Sequence, residues 1–217
     1  MKKQHQIALS LIAAAVVAGC ASMPGSAELD KLTATIVKSS FRDQGIVKVS
    51  VLDPQDILTA CSAADVAGKP IDSDLANTLQ NAQLKTIKWP ADGNYLGDWK
   101  KGEALAQSGR GLTFTDDAKT PSGGNCYNCH QLDPKEISFG TIGPSLTGYG
   151  KTRGVIADPT SAASKAIIEY TWGKIWNAKA YNACSVMPRA VHNGIITEAQ
   201  AKDLMALLLD PKSPVNQ

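Results

Sequence analysis

Five consecutive residues near the middle of the chain, Cys126-Tyr127-Asn128-Cys129-His130, have the types and spacing for a covalent cofactor site. Residues three and four positions apart share one face of a helical turn, so two thiols and an imidazole emerge side by side. Cys-x-x-Cys-His in this order is the attachment signature of c-type haem. Cys126 and Cys129 then form thioethers with the two vinyl groups, and His130 takes the iron from one side. Three alternatives compete: a redox dithiol, half of a zinc site, and a chance run. A zinc site asks for further Cys or His at short spacing, and no second pair follows. A thioredoxin-type dithiol asks for a βαβ setting, which the flanking sequence lacks.

An iron held by His130 leaves its opposite face for a second ligand. Of three histidines, His5 lies in a leader described below and His130 is used, leaving His192. Of four methionines, Met1 is lost with the leader, Met23 sits beside a prospective lipid anchor, and Met205 falls among leucines of the last helix. Met187 remains, in a Met-Pro-Arg turn just before that helix. A thioether ligand favours reduced iron and raises the potential, as an electron carrier requires. Met187 leads, with His192, Cys184 and an open site as alternatives. Arg189 either neutralises a haem propionate or stays solvated.

These residues need elements to hold them. The chain has 217 residues, a length for one or two domains. Residues 1–19 read as a secretory signal, with Lys2 and Lys3 ahead of an apolar run from Ile7 to Ala18. That run is short for a membrane span. It closes on Val17-Ala18-Gly19-Cys20, which resembles the lipobox of bacterial lipoproteins, so Cys20 becomes a lipidated N-terminus. The alternative is an ordinary signal cut near Gly19 to Ala21. Without Lys2 and Lys3, the 22 Lys+Arg fall to balance the 20 Asp+Glu. A neutral mature chain excludes a nucleic-acid binder, which shows a basic excess. The expected location is the periplasm, with the membrane reached through the lipid anchor alone.

Residues 20–27 form a small, turn-rich tether. Residues 28–95 form a mostly helical extension without histidine. Val47, Val49 and Val51 alternate as in a short strand, and Asp53-Pro54 signals a helix start ahead of Ile57, Leu58 and Cys61. Asp72 or Ser73 caps a second helix carrying Leu75 and Leu79. The haem domain covers 96–217. Asp98 caps a helix from Trp99 to about Ser108, and a polar loop over 109–125 separates it from the Cys-x-x-Cys-His run. A loop of that length is either functional or a tolerated insertion. Ile167, Ile168, Trp172 and Trp176 line one helical face within 161–180. Thr197 and Gln200 form a capping box for a helix with Leu204, Leu207 and Leu208, which Pro211 ends.

Gly97-Asp98-x-x-x-Gly102-x-x-Leu105 resembles the first helix of class I cytochromes c, in which the glycine lets first and last helices cross closely. Where many relatives carry an aromatic residue this chain has Ala106. Thr141-Ile142-Gly143-Pro144-Ser145-Leu146 resembles their Gly-Pro-x-Leu run. That resemblance implies that the Pro144 carbonyl accepts the Nδ1–H of His130, a bond that fixes tautomer and basicity. Met187 stands where class I members carry their axial methionine. The expected fold is therefore mainly α, a class I cytochrome c with an N-terminal, mostly helical extension. Two cysteines stay unassigned, Cys61 and Cys184, and in an oxidising compartment they are expected to pair.

Longer stretches narrow the resemblance. SFRDQGIVKVSVLD, TIKWPADGNYLGDWKKGEALAQSGRGLTF, GGNCYNCHQLDPKEISFGTIGPSLTGYGKTRG and the tail SVMPRA…LLLDPKSPVN are similar to the SoxX family. SoxX proteins are the monohaem subunits of the thiosulfate-oxidising SoxXA complex. The resemblance implies one covalent haem c and a SoxA-type cytochrome subunit as heterodimer partner. It also implies the carrier protein SoxYZ as the acceptor of thiosulfate, and a small soluble cytochrome c as electron acceptor. The chain would then be the non-catalytic haem subunit of an L-cysteine S-thiosulfotransferase, with the 109–125 loop a candidate for the docking face. Two other classes stay open: a general lipid-anchored electron carrier, and a haem enzyme or gas sensor with an open sixth position.

Overall fold

A computed structural model describes residues 25–155 and 161–217. The leader, Cys20 and Met23 lie outside the described residues. The chain divides into two units, residues 1–44 and 45–217. In the first, α1 spans Ser26–Ser40, so the helix takes in the last residues of the expected tether. Leu29, Leu32 and Ile36 share one face of it, each about half exposed.

In the second unit, capping chemistry sets most helix starts. Asp72 accepts from the backbone N–H groups of Asp74 and Leu75 and starts α3, Ser73–Leu84. Asp98 accepts from Lys100 N–H and starts α4, Trp99–Gln107. Ser161 caps α6, Ala162–Trp176. Thr197 and Gln200 make the expected capping box for α7, Glu198–Leu209, which stops at Asp210 ahead of Pro211. A short helix, α5, covers Tyr149–Thr152.

Two expectations in the extension are corrected. Val47, Val49 and Val51 do not form a strand; Val49–Leu52 is a 3-10 turn. Alternation stabilises a strand only where a neighbouring strand pairs with it and one face is buried, and Val49 and Val51 are both exposed. The next helix, α2, is Asp56–Val66 with Gln55 at its cap, while Asp53 closes the 3-10 turn through its N–H to Ser50 O. Asp53-Pro54 therefore ends one turn instead of starting the helix.

The core forms where α4 and α7 cross. A Cβ on Gly102 would run into the Asp203 carbonyl and stand 3.0 Å from Leu207 Cβ, so only glycine permits this approach. The crossing is tied at its open end, where Gly97 N–H donates to Lys202 O at 2.9 Å and Asp98 N–H to Asp203 Oδ1 at 2.8 Å. Leu204, Met205, Leu207 and Leu208 of α7 are buried beneath it. Asn216 closes the other end. Its Oδ1 accepts from Gly150 and Lys151 N–H, and its Nδ2 donates to Leu208 and Asp210 carbonyls.

Residues 45–95 belong to this same unit, and α6 shows why. Trp172 Nε1 donates to Lys88 O at 2.8 Å, and Trp176 Nε1 to Thr86 O at 3.1 Å. Tyr95 meets the Trp172 ring edge-on at 5.5 Å. The segment leading into α4 is thus strapped across two buried indoles whose polar edges need those carbonyls.

Candidate haem site

The excursion over 109–125 is closed at its base. Gly124 N–H donates to Leu105 O, Asn125 N–H to Ser108 O and Gly123 N–H to Arg110 O, all between 2.8 and 2.9 Å. A Cβ on Gly123 would overlap Ser108, which is why glycine stands at the neck. The chain therefore leaves α4, makes its loop and returns to the same place. Cys126 follows α4 in space nearly as it would if the loop were deleted. Asn125 makes the return in a left-handed conformation, φ 52°, which asparagine tolerates.

Cys126–Asn128 forms a 3-10 turn, and His130 N–H donates to Cys126 O at 2.9 Å. The tight turn carries both cysteines and the histidine on one short segment. Tyr127 points inward. Its hydroxyl donates to Glu103 Oε1 of α4 at 2.9 Å and accepts from Asp133 N–H at 3.2 Å. This latch was not read from the sequence, where Tyr127 is a free position of the motif. Glu103 Oε2 is buried with no hydrogen-bond partner. Burial, then the nearby Asp133 charge, raises the Glu103 carboxyl above its ordinary value, against the pull of the Tyr127 bond. Burial likewise pushes the Cys126 thiol up to about 12. A thiolate is thus strongly disfavoured there, whereas an uncharged thioether suffers no such penalty.

His130 Nδ1 lies 2.7 Å from Pro144 O. A carbonyl only accepts, so Nδ1 carries the proton and Nε2 keeps its lone pair for a metal. Gly143 fits against the ring: a Cβ there would lie 2.5 Å from Nδ1 and 2.8 Å from Nε2. The Gly-Pro segment is held in place by Gly140 N–H to Tyr127 O at 2.7 Å and Gly143 N–H to Cys129 O at 2.8 Å. Leu146 N–H to Gln131 O adds a third bond, at 2.8 Å. These features fit a covalently attached haem with a histidine ligand. Among the described residues no cluster of three or more His, Cys, Asp or Glu could hold a bare metal ion.

The structure places Met187 in an irregular turn between α6 and α7, half-buried, its N–H donating to Ser185 Oγ at 3.2 Å. Met205 is fully buried in the core, and His192 is exposed. Cys61 and Cys184 are joined, with S–S at 2.06 Å and Cα–Cα at 5.4 Å, which removes Cys184 as an iron ligand. Arg189 is not the solvated arginine allowed by the sequence. It is 5% exposed, and it donates to Gln83 Oε1 at 3.2 Å and Gln55 Oε1 at 2.5 Å. Its observed partners are thus residues of the extension, a pairing with no signal in the sequence pattern. Lys179 is also buried, with Nζ on Ala183 O at 3.2 Å and Ser185 O at 2.9 Å. Burial and the Arg189 charge lower its ammonium from the ordinary value.

A helical fold crossed at Gly102, with two cysteines and a carbonyl-anchored histidine on one segment, defines a c-type cytochrome. Residues 106–211 match the cytochrome c family. An Aquifex aeolicus (strain VF5) protein described as an uncharacterized lipoprotein is 33% identical over 219 residues, spanning the whole of both chains. Residues 106–211 therefore form a cytochrome c domain, and the cofactor of that family is covalently bound haem c.

Proposed function

We propose that this chain carries one haem c and serves as the electron-transfer subunit of a SoxXA-type thiosulfate-oxidising complex. The bond from His130 Nδ1 to the Pro144 carbonyl carries the electron-carrier reading, because it presets one ring nitrogen for iron. When bound, haem c supplies a one-electron couple between ferric and ferrous iron. Cys126 and Cys129 hold the macrocycle by thioether bonds. The Pro144 carbonyl keeps the proton on Nδ1 and raises the basicity of the His130 ligand. Met187 would supply a thioether as the second iron ligand, which would favour the reduced state and keep exogenous ligands out.

The SoxX-like stretches support the finer reading. A SoxA-type cytochrome then forms the heterodimer, SoxYZ receives the thiosulfate group on a cysteine, and a small soluble cytochrome c takes the electrons onward. The lipobox-like Val17-Ala18-Gly19-Cys20 and the lipoprotein description of the Aquifex relative support a lipid anchor in the periplasm. No helix among the described residues is long and apolar enough to cross a membrane.

Reconstitution tests the reading. The isolated ferric protein should stay oxidised with thiosulfate, and adding SoxA and SoxYZ should reduce its haem. If the haem stays oxidised, or no complex with SoxA forms, the general carrier reading replaces it. For the ligand set, Met187→Ala should abolish the long-wavelength methionine–iron band of the ferric protein. Retention of that band would refute Met187 as ligand.

A further inference from the structure

The turn that carries Met187 has no regular secondary structure to fix it, yet two buried cations flank it. Lys179, 8% exposed, donates through Nζ to the carbonyls of Ala183 and Ser185. Those two residues bracket Cys184, itself bonded to Cys61. On the other side of Met187, Arg189 donates to Gln55 and Gln83. The two grips share a platform. Asn177, fully buried, accepts from Lys179 N–H at 3.2 Å and donates to Gln83 Oε1 and Thr86 Oγ1, both at 3.0 Å. Gln83 Oε1 thus serves Asn177 and Arg189 together.

Neither cation is matched by a carboxylate. Among the described residues neither has a carboxylate within ion-pair distance, and the acceptors of Lys179 and Arg189 are all neutral. Burying a charge is expensive unless it is fully hydrogen-bonded, and two like charges nearby add repulsion. Neutral donors could hold a turn at lower cost. The charge itself therefore has a use, and an iron ligand between the two groups supplies one. Positive charge near the iron disfavours the ferric state.

Resting on Met187 as the axial ligand, we infer that Lys179 and Arg189 are positioning residues for it. They grip its turn from both sides against Gln55, Gln83 and Thr86, and their unneutralised charge favours reduced iron. Residues 55–86 are on this account the mould of the ligand turn.

The test compares purified holoprotein variants. Lys179→Met keeps length and loses both charge-assisted bonds. It should weaken the methionine–iron band, tighten imidazole binding to the ferric protein by about tenfold or more, and lower the reduction potential. Lys179→Arg keeps charge and donors and should restore band and potential. Lys179→Met with wild-type band, imidazole affinity and potential would overturn the inference while leaving Met187 as ligand. A wild type with no such band, unchanged by Met187→Ala, would overturn the ligand reading and this inference with it. If Lys179→Met yields no folded protein, wild type in guanidinium decides. Band and helix signal should then vanish together, and loss of the band well before the helices would overturn the clamp.

Discussion

Replacing Gly102 with alanine sets two effects of opposite sign against each other. In an unconstrained helix interior the change stabilises by about 1 kcal/mol, through backbone entropy and propensity. Here the new methyl would overlap the Asp203 carbonyl oxygen, stand 2.7 Å from its carbon and 3.0 Å from Leu207 Cβ. The first obstacle is helix backbone, which has no rotamer to change, so α4 and α7 must separate. Overpacking costs typically about 1–3 kcal/mol, and a backbone obstacle belongs at the upper end. The net expectation is a loss of roughly 2 kcal/mol, or about 4–8 °C in Tm for a unit of this size. Separation would also move Leu105, whose carbonyl anchors Gly124 beside Cys126, so haem spectra should broaden. The assay is thermal unfolding of the holoprotein alongside Ala104→Gly, an exposed site on the same helix that reports propensity alone. If Gly102→Ala stabilises by as much as Ala104→Gly destabilises, the close crossing is refuted.

Three further expectations concern other residues. Cys61→Ser with Cys184→Ser opens a bridge of sequence separation 123, for which loop entropy sets a stabilisation of up to about 5 kcal/mol; an unchanged guanidinium midpoint would refute its contribution. Burial raises the Glu103 carboxyl, so the folded state holds that proton more tightly than the unfolded chain. The resulting stability is present below the ordinary carboxylate pKa and is lost as pH rises through the folded value. Glu103→Gln should therefore gain on wild type in denaturant titrations between acid and neutral pH, and a gap that stays flat or shrinks contradicts the assignment. Cys20→Ser should shift the protein from the membrane to the soluble fraction, and unchanged fractionation argues against a lipid anchor.

Local chemistry was legible in the sequence wherever neighbours in the chain supply it. Asp72, Asp98 and the Thr197–Gln200 box start their helices as read, because a cap needs only the next two or three N–H groups. The Cys126-x-x-Cys129-His130 turn and the Pro144 carbonyl were legible through spacing and resemblance, both of which describe one short stretch of chain. The valine alternation misled because a strand needs a partner strand, which 47–51 cannot specify. Only the tertiary structure showed that the 109–125 excursion returns to Leu105 and Ser108, since its polar residues say nothing of where the ends meet. Only it paired Tyr127 with Glu103, and Arg189 with Gln55 and Gln83 across 134 and 106 residues. Lysine, arginine and glutamine on a sequence read as surface. Whether they are buried depends on carbonyls and amides that arrive from distant segments, and folding alone brings these together.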